Sequence, residues 1–284
     1  MTVRTDPIRV TVSIVVYKPD CDLLVRVLTS LRRAADYASA RLPLKLSVCL
    51  VDNSLEPQWR PRIEAAVRTG LGDTEAEIRL SPVNGGYGAG NNLAIRTAQS
   101  DYHIVANPDV FLDEDTLFAA CQYMERHPEV KLLTPQVRGE DGELHYLCKR
   151  HPSLFIMFLR GFAPLSVRRH FRGLLERFEM RDHDYAGTIE GVGYPTGCFM
   201  FFRTEALQAI GGFDERFFMY LEDADIGRRI LQLGDVRYVP SVKIVHRWAR
   251  GSHRDKRLRW ITVQSALIYW RKWGGLLKPT RDNP

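Results

Sequence analysis

Through its first 126 residues the chain alternates short β-branched runs with stretches of helical periodicity, and this alternation constrains the fold more than any other feature. Residues 9–17 (RVTVSIVVY) read as a buried strand. Asp22 then reads as the N-cap of a helix over 23–38, apolar at Leu24, Val27, Leu28 and Leu31. Strands follow at 44–51, 78–81 and 102–106, with helices expected at 61–69 (ended by Gly70), 93–99, and from an Asp113 cap to about Arg126. Strand and helix alternating at this spacing build βαβ units, hence an α/β domain with a Rossmann-like, mostly parallel sheet flanked by helices.

The pattern changes after Lys131. Residues 132–138 and 144–149 flank Gly139-Glu140-Asp141-Gly142, a hairpin signal. Residues 151–180 scatter Arg160, Arg168, Arg169, Arg172 and Arg177 among apolar side chains and read as irregular helices of a surface insertion. A buried strand is expected at 196–203, a helix at 222–233 ended by Gly234, short strands at 236–239 and 242–246, and an amphipathic helix at 256–273.

Composition removes several classes. Apolar residues make up 45% and charged residues 26% of the 284, enough to build a core and too apolar for general disorder. The longest apolar run, 154–159, is far short of the ~18–20 residues of a spanning helix. Residues 1–7 carry no signal-peptide core, and the five cysteines form no CxxC pair. The expectation is a cytoplasmic protein with reduced thiols. The net charge of +6 is unevenly placed: 246–284 hold ten Lys/Arg against two Asp/Glu. Such a tail calls for an anionic partner: a membrane surface, nucleic acid or a phosphorylated substrate.

Sites in parallel α/β sheets lie beyond the carboxyl ends of the strands. Four polar clusters fall at such ends: Asp52-Asn53-Ser54, the glycine-rich 84–92, Asn107-Pro108-Asp109, and His246. Each is readable alone as a turn or helix cap. Asp109, on a tight turn, suits a hard divalent cation, and one carboxylate with one histidine leaves coordination positions for a diphosphate. The glycine-rich stretch between strand and helix offers backbone N–H groups to a phosphate or sugar. It also imitates a dinucleotide fingerprint, but Asn91 stands where the last glycine belongs, which disfavours an NAD-dependent oxidoreductase. Glu222-Asp223-Ala224-Asp225 opens a helix after an aromatic run. Glu222 and Asp225 share a face while Asp223 points about 100° away, so the three carboxylates have different jobs. One of them, partly desolvated beside Phe217, Phe218 and Tyr220, is a candidate general base.

In order, SIVVY (13–17), VDNS (51–54), NGGYGAGNN (84–92), NPD (107–109), TGCFMFFR (196–203), GGFDERFFMYLEDADIGRRI (211–230) and VKIVHRWARGS (242–252) resemble the inverting nucleotide-sugar glycosyltransferases of family 2, with the GT-A fold. The pattern, with IYWRKWG (268–274), looks most like bacterial rhamnosyltransferases of lipopolysaccharide and related polysaccharide assembly. The resemblance implies a catalytic domain over 1–250, with a nucleotide half to about 130 and an acceptor half beyond it, and a basic tail over 251–284. It implies donor contacts from Val16, Tyr17, Asp52, Asn53, Asn84, Gly86, Tyr87, Gly88, Asn91, Asn107, Asp109 and Arg250, with Asp52 near the pyrimidine. Thr196, Gly197 and Tyr220 would face the acceptor. Asn107-Pro108-Asp109 stands where the family has its DxD motif; Asp109 and His246 would bind Mg²⁺ or Mn²⁺, and Asn107 replaces the usual first Asp. Asp223, paired with Glu222, matches the usual catalytic base.

The resulting expectation is a metal-dependent inverting transfer from dTDP-rhamnose to a hydroxyl of a glycan or lipid-linked glycan, with no nucleic-acid partner. A UDP-hexose donor, or a non-catalytic basic binding protein, are the other readings. For the helix at 256–273, Trp260, Val263, Leu267 and Trp270 form one face with Arg257, Arg259, Arg271 and Lys272 near the ends. That face either docks on an anionic cytoplasmic membrane surface or packs on the catalytic domain.

Overall fold

The computed structural model describes residues 6–247 and 256–274. The first half of the chain runs β1 (Ile8–Val16), α1 (Cys21–Ser39), β2 (Leu44–Asp52), α2 (Trp59–Leu71), β3 (Glu75–Leu80), α3 (Gly86–Ile95), β4 (Tyr102–Ala106), β5 (Val110–Leu112) and α4 (Thr116–Arg126). The second half runs β6 (Val130–Arg138), β7 (Leu144–His145), α5 (Leu154–Gly161), α6 (Leu165–His170), α7 (Arg172–Phe178), β8 (Phe199–Arg203), α8 (Thr204–Ala209), α9 (Glu222–Ile230), β9 (Asp235–His246) and α10 (Lys256–Trp273).

The strands join one sheet in the order β3-β2-β1-β4-β8-β6-β9-β5, with β7 on β6. Pairing is parallel through β3, β2, β1 and β4. Beyond β4 it is mixed: β8 runs antiparallel to β4 and β6, β9 is parallel to β6, and β5 is antiparallel to β9. Strands buried on both faces explain the continuous apolar runs. Leu24, Leu28 and Leu31 of α1 pack with Val10, Val12 and Ile14 of β1 in one core cluster. Phe202 and Met200 of β8 join Ile226 and Ile230 of α9 in a second.

Several boundaries differ from expectation for local reasons. Asp20, not Asp22, caps α1, its carboxylate accepting from the N–H groups of Asp22 and Leu23. Asp113 meets α4 only through its carbonyl, which accepts from Thr116 N–H. The glycine-rich segment is not a loop ahead of a helix at 93–99: it is the helix, α3, which ends at Ile95. The expected strand over 144–149 shrinks to β7, and 236–239 and 242–246 merge into β9. The insertion is three short helices, α5 to α7, carrying exposed Phe158, Phe162, Leu165 and Leu174.

Helix α10 packs on the domain through a different face from the one the sequence singled out. Ile261, Ser265 and Tyr269 turn inward, Ser265 Oγ donating to the Met219 carbonyl at 2.8 Å. Trp260, Leu267 and Trp270 stay exposed, and Val263 is half-buried. No helix among the described residues is long and apolar enough to cross a membrane.

A buried polar chain joins α3 to the sheet. Ser13 Oγ donates to Asn91 Oδ1 at 2.7 Å, so the His103 ring nitrogen 3.0 Å from Ser13 must donate to it, leaving Nδ1 bare. Burial alone lowers the His103 pKa from 6.5 to about 3. The unfolded chain therefore takes up a proton below 6.5 that the folded one refuses, so this term is full above 6.5 and is lost as pH falls toward 3. Between pH 6.5 and 5, urea unfolding of the wild type is expected to lose about 1.4 kcal/mol more per pH unit than that of His103→Gln. Equal slopes would show that His103 is charged in the fold.

Candidate active site

Three strand ends form the first wall. Asn53 N–H donates to the Val16 carbonyl at 2.9 Å, Lys18 N–H to Ser54 Oγ at 2.8 Å, and Ser54 N–H to Asp52 Oδ1 at 2.8 Å. Asp52, Asn53 and Ser54 are thereby locked and buried, while the Tyr17 ring is exposed at the β1 end. Asn53 Nδ2 donates to the Gly86 carbonyl at 3.1 Å, seating α3 on β2.

The start of α3 is tightly held. Gly86 N–H takes Asn84 Oδ1 at 3.2 Å, and Tyr87 N–H takes the Phe218 carbonyl at 3.0 Å. These amides are spent inside the protein, so the backbone phosphate cradle expected there is not what 85–87 provide. Gly88 packs on Phe213, and the Asn91 amide is fully enclosed, its Nδ2 donating to the Tyr87 carbonyl at 3.0 Å. Both are engaged in seating α3 within the protein. The Tyr87 hydroxyl donates to the Gly197 carbonyl at 2.7 Å and brings the second half of the chain into register.

Asp109 and His246 meet across the β5–β9 pair. His246 Nε2 lies 3.2 Å from Asp109 Oδ1, which is buried without a well-formed hydrogen bond. Burial lowers the His246 pKa, but the Asp109 carboxylate and the Cys198 thiol raise it more, to about 10. The pair thus strongly favours a positive charge between its members. A hard carboxylate oxygen plus an imidazole fits Mg²⁺ or Mn²⁺ completed by phosphate oxygens and water. No group of three or more His, Cys, Asp or Glu suited to a metal occurs among the described residues, so an ion held by Asp109 and His246 would need oxygens from substrate or water to complete its shell. Asn107 N–H donates to the Cys198 carbonyl at 2.9 Å, fixing the turn beneath Asp109. Arg250 lies outside the described residues.

The three carboxylates of α9 divide as their helical positions require, with one difference. Asp225 is buried and structural: it pairs with Arg229 at 2.8 Å and Lys272 at 2.7 Å and accepts from Trp273 Nε1 at 2.8 Å. Glu222 lies beside Asp223 rather than sharing Asp225's role. Burial, then the Asp223 charge, pushes the Glu222 pKa well up, and its Oε2 has no hydrogen bond. Burial also raises Asp223, but Lys149 and the N–H groups of Ala224 and Gly197 oppose it, the latter at 3.1 Å from Oδ2. Of the two, Asp223 is thus the carboxylate whose ionised form its surroundings support, while nothing beside Glu222 offsets its burial to the same extent. Tyr220 and Leu221, just before the helix, hold left-handed φ of 70° and 67°, a strained approach that aims the pair. Thr196 Oγ1 turns to Cys198 Sγ and accepts from its N–H, so Thr196 shapes the turn.

Sequence reasoning missed Lys149, Tyr194, Cys198 and the Phe218 carbonyl. Tyr194 hydrogen-bonds Asp223, and Lys149 Nζ sits 4.3 Å over the Tyr194 ring. No local motif marks these residues; they reach the site through long-range pairing.

Glycosyl transferase family 2 matches residues 11–211, and the chain belongs to that family. It is 32% identical over 199 residues to the N-acetylglucosaminyl-diphospho-decaprenol L-rhamnosyltransferase of Mycobacterium tuberculosis, covering 63% of this chain and 61% of that protein. It is 29% identical over 191 residues to the rhamnosyltransferase WbbL of Escherichia coli, covering 62% and 66%. The alignments thus span less than two thirds of either relative. Among solved structures, the Pyrobaculum calidifontis mannosyltransferase PcManGT, in complex with GDP-Man and Mn²⁺, superposes with TM-score 0.63 at 19% identity, over 94% of this chain and 65% of that one. The 1–349 segment of S. aureus TarS gives 0.55 at 15% identity, over 84% and 60%. These likenesses identify the fold as GT-A.

Gly86 generates the sharpest structural expectation. Its φ is +89°, and a Cβ there would stand 1.9 Å from the Phe218 carbonyl oxygen. Gly86→Ala should cost at least about 2–3 kcal/mol in chemical denaturation. A variant as stable as wild type would show that the 213–218 segment is free to move away.

Proposed function

We propose that this chain transfers L-rhamnose from dTDP-rhamnose, with inversion, to a hydroxyl of a lipid-linked glycan, with Mg²⁺ or Mn²⁺ bound. The observation that carries the reading is the joint geometry of the Asp109–His246 pair and Asp223, linked through residues 197 and 198. The rhamnosyl donor rests on the two rhamnosyltransferase relatives, and the lipid-linked acceptor on the name of the mycobacterial one.

Val16, Tyr17, Asp52 and Asn53 would hold the base and ribose, and Asn84, Tyr87 and Asn107 would border the sugar diphosphate. Asp109 and His246 would hold the metal ion, which neutralises charge on the departing nucleoside diphosphate. Asp223 takes the proton from the acceptor hydroxyl as its oxygen attacks the anomeric carbon from the face opposite the diphosphate. Glu222, its pKa pushed up, would keep a second negative charge away from Asp223. Thr196, Gly197 and Tyr220 border the acceptor side. The exposed Trp260, Leu267 and Trp270 face, flanked by basic residues, suits peripheral contact with an anionic cytoplasmic membrane surface, where a lipid-linked acceptor resides.

The direct test is release of nucleotide from a panel of dTDP- and UDP-sugars with and without Mn²⁺. Turnover of dTDP-rhamnose above all UDP-hexoses is the expected result; turnover of a UDP-hexose alone would replace the donor. Asp109→Ala should abolish metal-dependent dTDP binding in calorimetry, with His246→Ala losing less because imidazole brings no net charge. Unchanged affinity in a folded Asp109→Ala protein would remove the metal role. Asp223→Asn should keep donor affinity and lower kcat by about 10²–10⁴-fold. An active Asp223→Asn beside a dead Glu222→Gln would transfer the base assignment to Glu222.

A further inference from the structure

We propose that Lys149 and Arg160 form an anion subsite on the acceptor side of Asp223 that takes the phosphate-bearing link of an amphiphilic acceptor. This rests on the transferase reading and specifies its acceptor class.

The subsite is built by a long-range closure. Lys149 and Tyr194 exchange backbone hydrogen bonds of 3.1 and 2.8 Å, which bring the end of the hairpin against the segment entering β8. The Lys149 ammonium lies 4.3 Å from the Tyr194 ring centroid, and the Tyr194 hydroxyl bonds Asp223. One aromatic ring therefore separates the cation from the base. Arg160, on α5, lies 5.4 Å from the Phe178 ring centroid, and Phe178 stands edge-on to Tyr194 at 6.5 Å.

The charges are unevenly answered. Lys149 is half-buried, and it makes no ion pair or side-chain hydrogen bond among the described residues. Burial first, and Arg160 next, lower its pKa, while Asp223 and Glu179 act in the other direction. Arg160 touches Glu179 at 3.3 Å through one nitrogen, and Glu179 also answers Arg181. A half-buried ammonium without a direct partner is open to an anion, and partial shielding from water strengthens that contact. Two cations beside aromatic faces suit a phosphate or diphosphate better than a neutral sugar.

The surroundings specify what else the ligand carries. Along α5, next to Arg160, Phe158 and Phe162 are exposed, and the guanidinium of Arg259 from α10 lies 5.8 Å from the Phe162 ring centroid. Exposed Leu165 and Trp260 belong to the neighbouring α6 and α10. Moving outward from Asp223, a ligand meets a place for a sugar hydroxyl, then cations, then apolar surface. That order matches a sugar linked through phosphate to a hydrocarbon chain.

The test compares two acceptors bearing the same sugar, one on citronellyl diphosphate and one as a neutral octyl glycoside, with dTDP-rhamnose saturating. The readout is the ratio of kcat/KM for the first over the second. Lys149→Met should lower that ratio about 10- to 100-fold, the scale of a charge-assisted hydrogen bond, and Lys149→Arg should retain most of it. A ratio unchanged in Lys149→Met overturns the subsite, even if both activities fall, because Lys149 then acts only on Asp223. Calorimetry with saturating dTDP and Mn²⁺ separates the ligand sources. Tight binding of the citronellyl diphosphate sugar and weak binding of inorganic pyrophosphate is expected; equal binding overturns the amphiphilic assignment. If wild type turns over no nucleotide sugar, the transferase reading fails, and calorimetry on Lys149→Met decides the subsite independently.

Discussion

Tyr87 ties together the parts of the molecule that the reaction needs. Its N–H reaches the Phe218 carbonyl, its hydroxyl reaches the Gly197 carbonyl, and its ring stands edge-on to Phe213 at 5.9 Å. One residue on α3 thus fixes both the segment leading to α9 and the segment leading to β8. Gly197 in turn supplies the N–H that holds Asp223, and Cys198 borders His246. Without the Tyr87 contacts, the segments leading to α9 and β8 would lose the tie that sets Asp223 against the Asp109–His246 pair of the sheet. With them, each is a fixed point relative to the ends of β1 and β2, which is the preorganisation that catalysis by positioning requires.

The first turn of α9 concentrates charge that would be destabilising if its members were equivalent. They are not, because each carboxylate has a different electrostatic solution. Burial and the neighbouring charge push the Glu222 pKa up, backbone N–H groups and Lys149 oppose the same push at Asp223, and Asp225 is paired with Arg229 and Lys272. Three acidic groups at a helix N-terminus also align with its dipole. The strained backbone at Tyr220 and Leu221 costs about 1–2 kcal/mol per residue, and it persists because Ser265, Tyr269 and Trp273 of α10 pack behind it.

The first half of the chain was largely legible because its information is local. Val10 to Val16, Leu46 to Val51 and Ile104 to Ala106 are β-branched or apolar runs that admit only buried strands, and the helices between them show clear periodicity. The glycine-rich segment was misread because three glycines in five residues suggest a loop. Here they admit the close approach of Phe213, Phe218 and Val15 to a helix. The short β7 and the three helices of the insertion were poorly defined in sequence, since neither periodicity nor turn chemistry dominates there. Asp109, His246 and Asp223 stood out as polar residues at element ends. Lys149 and Tyr194 did not, because only the antiparallel bridge between residues 45 positions apart in the chain gives them a common location.

That same bridge has an evolutionary consequence. Residues 150–179 leave the domain just after that bridge, and 180–193 return to it along β9 through the Ile189–Tyr238 bridge and the buried Tyr185 and Val192, so the excursion is a cassette with both ends anchored. Closing a loop costs only slowly more as it lengthens. Segments of different length and composition can therefore be exchanged there while the sheet, the Asp109–His246 pair and Asp223 keep their places. A lineage can rewrite this stretch alone, and the rest of the sequence need not change with it.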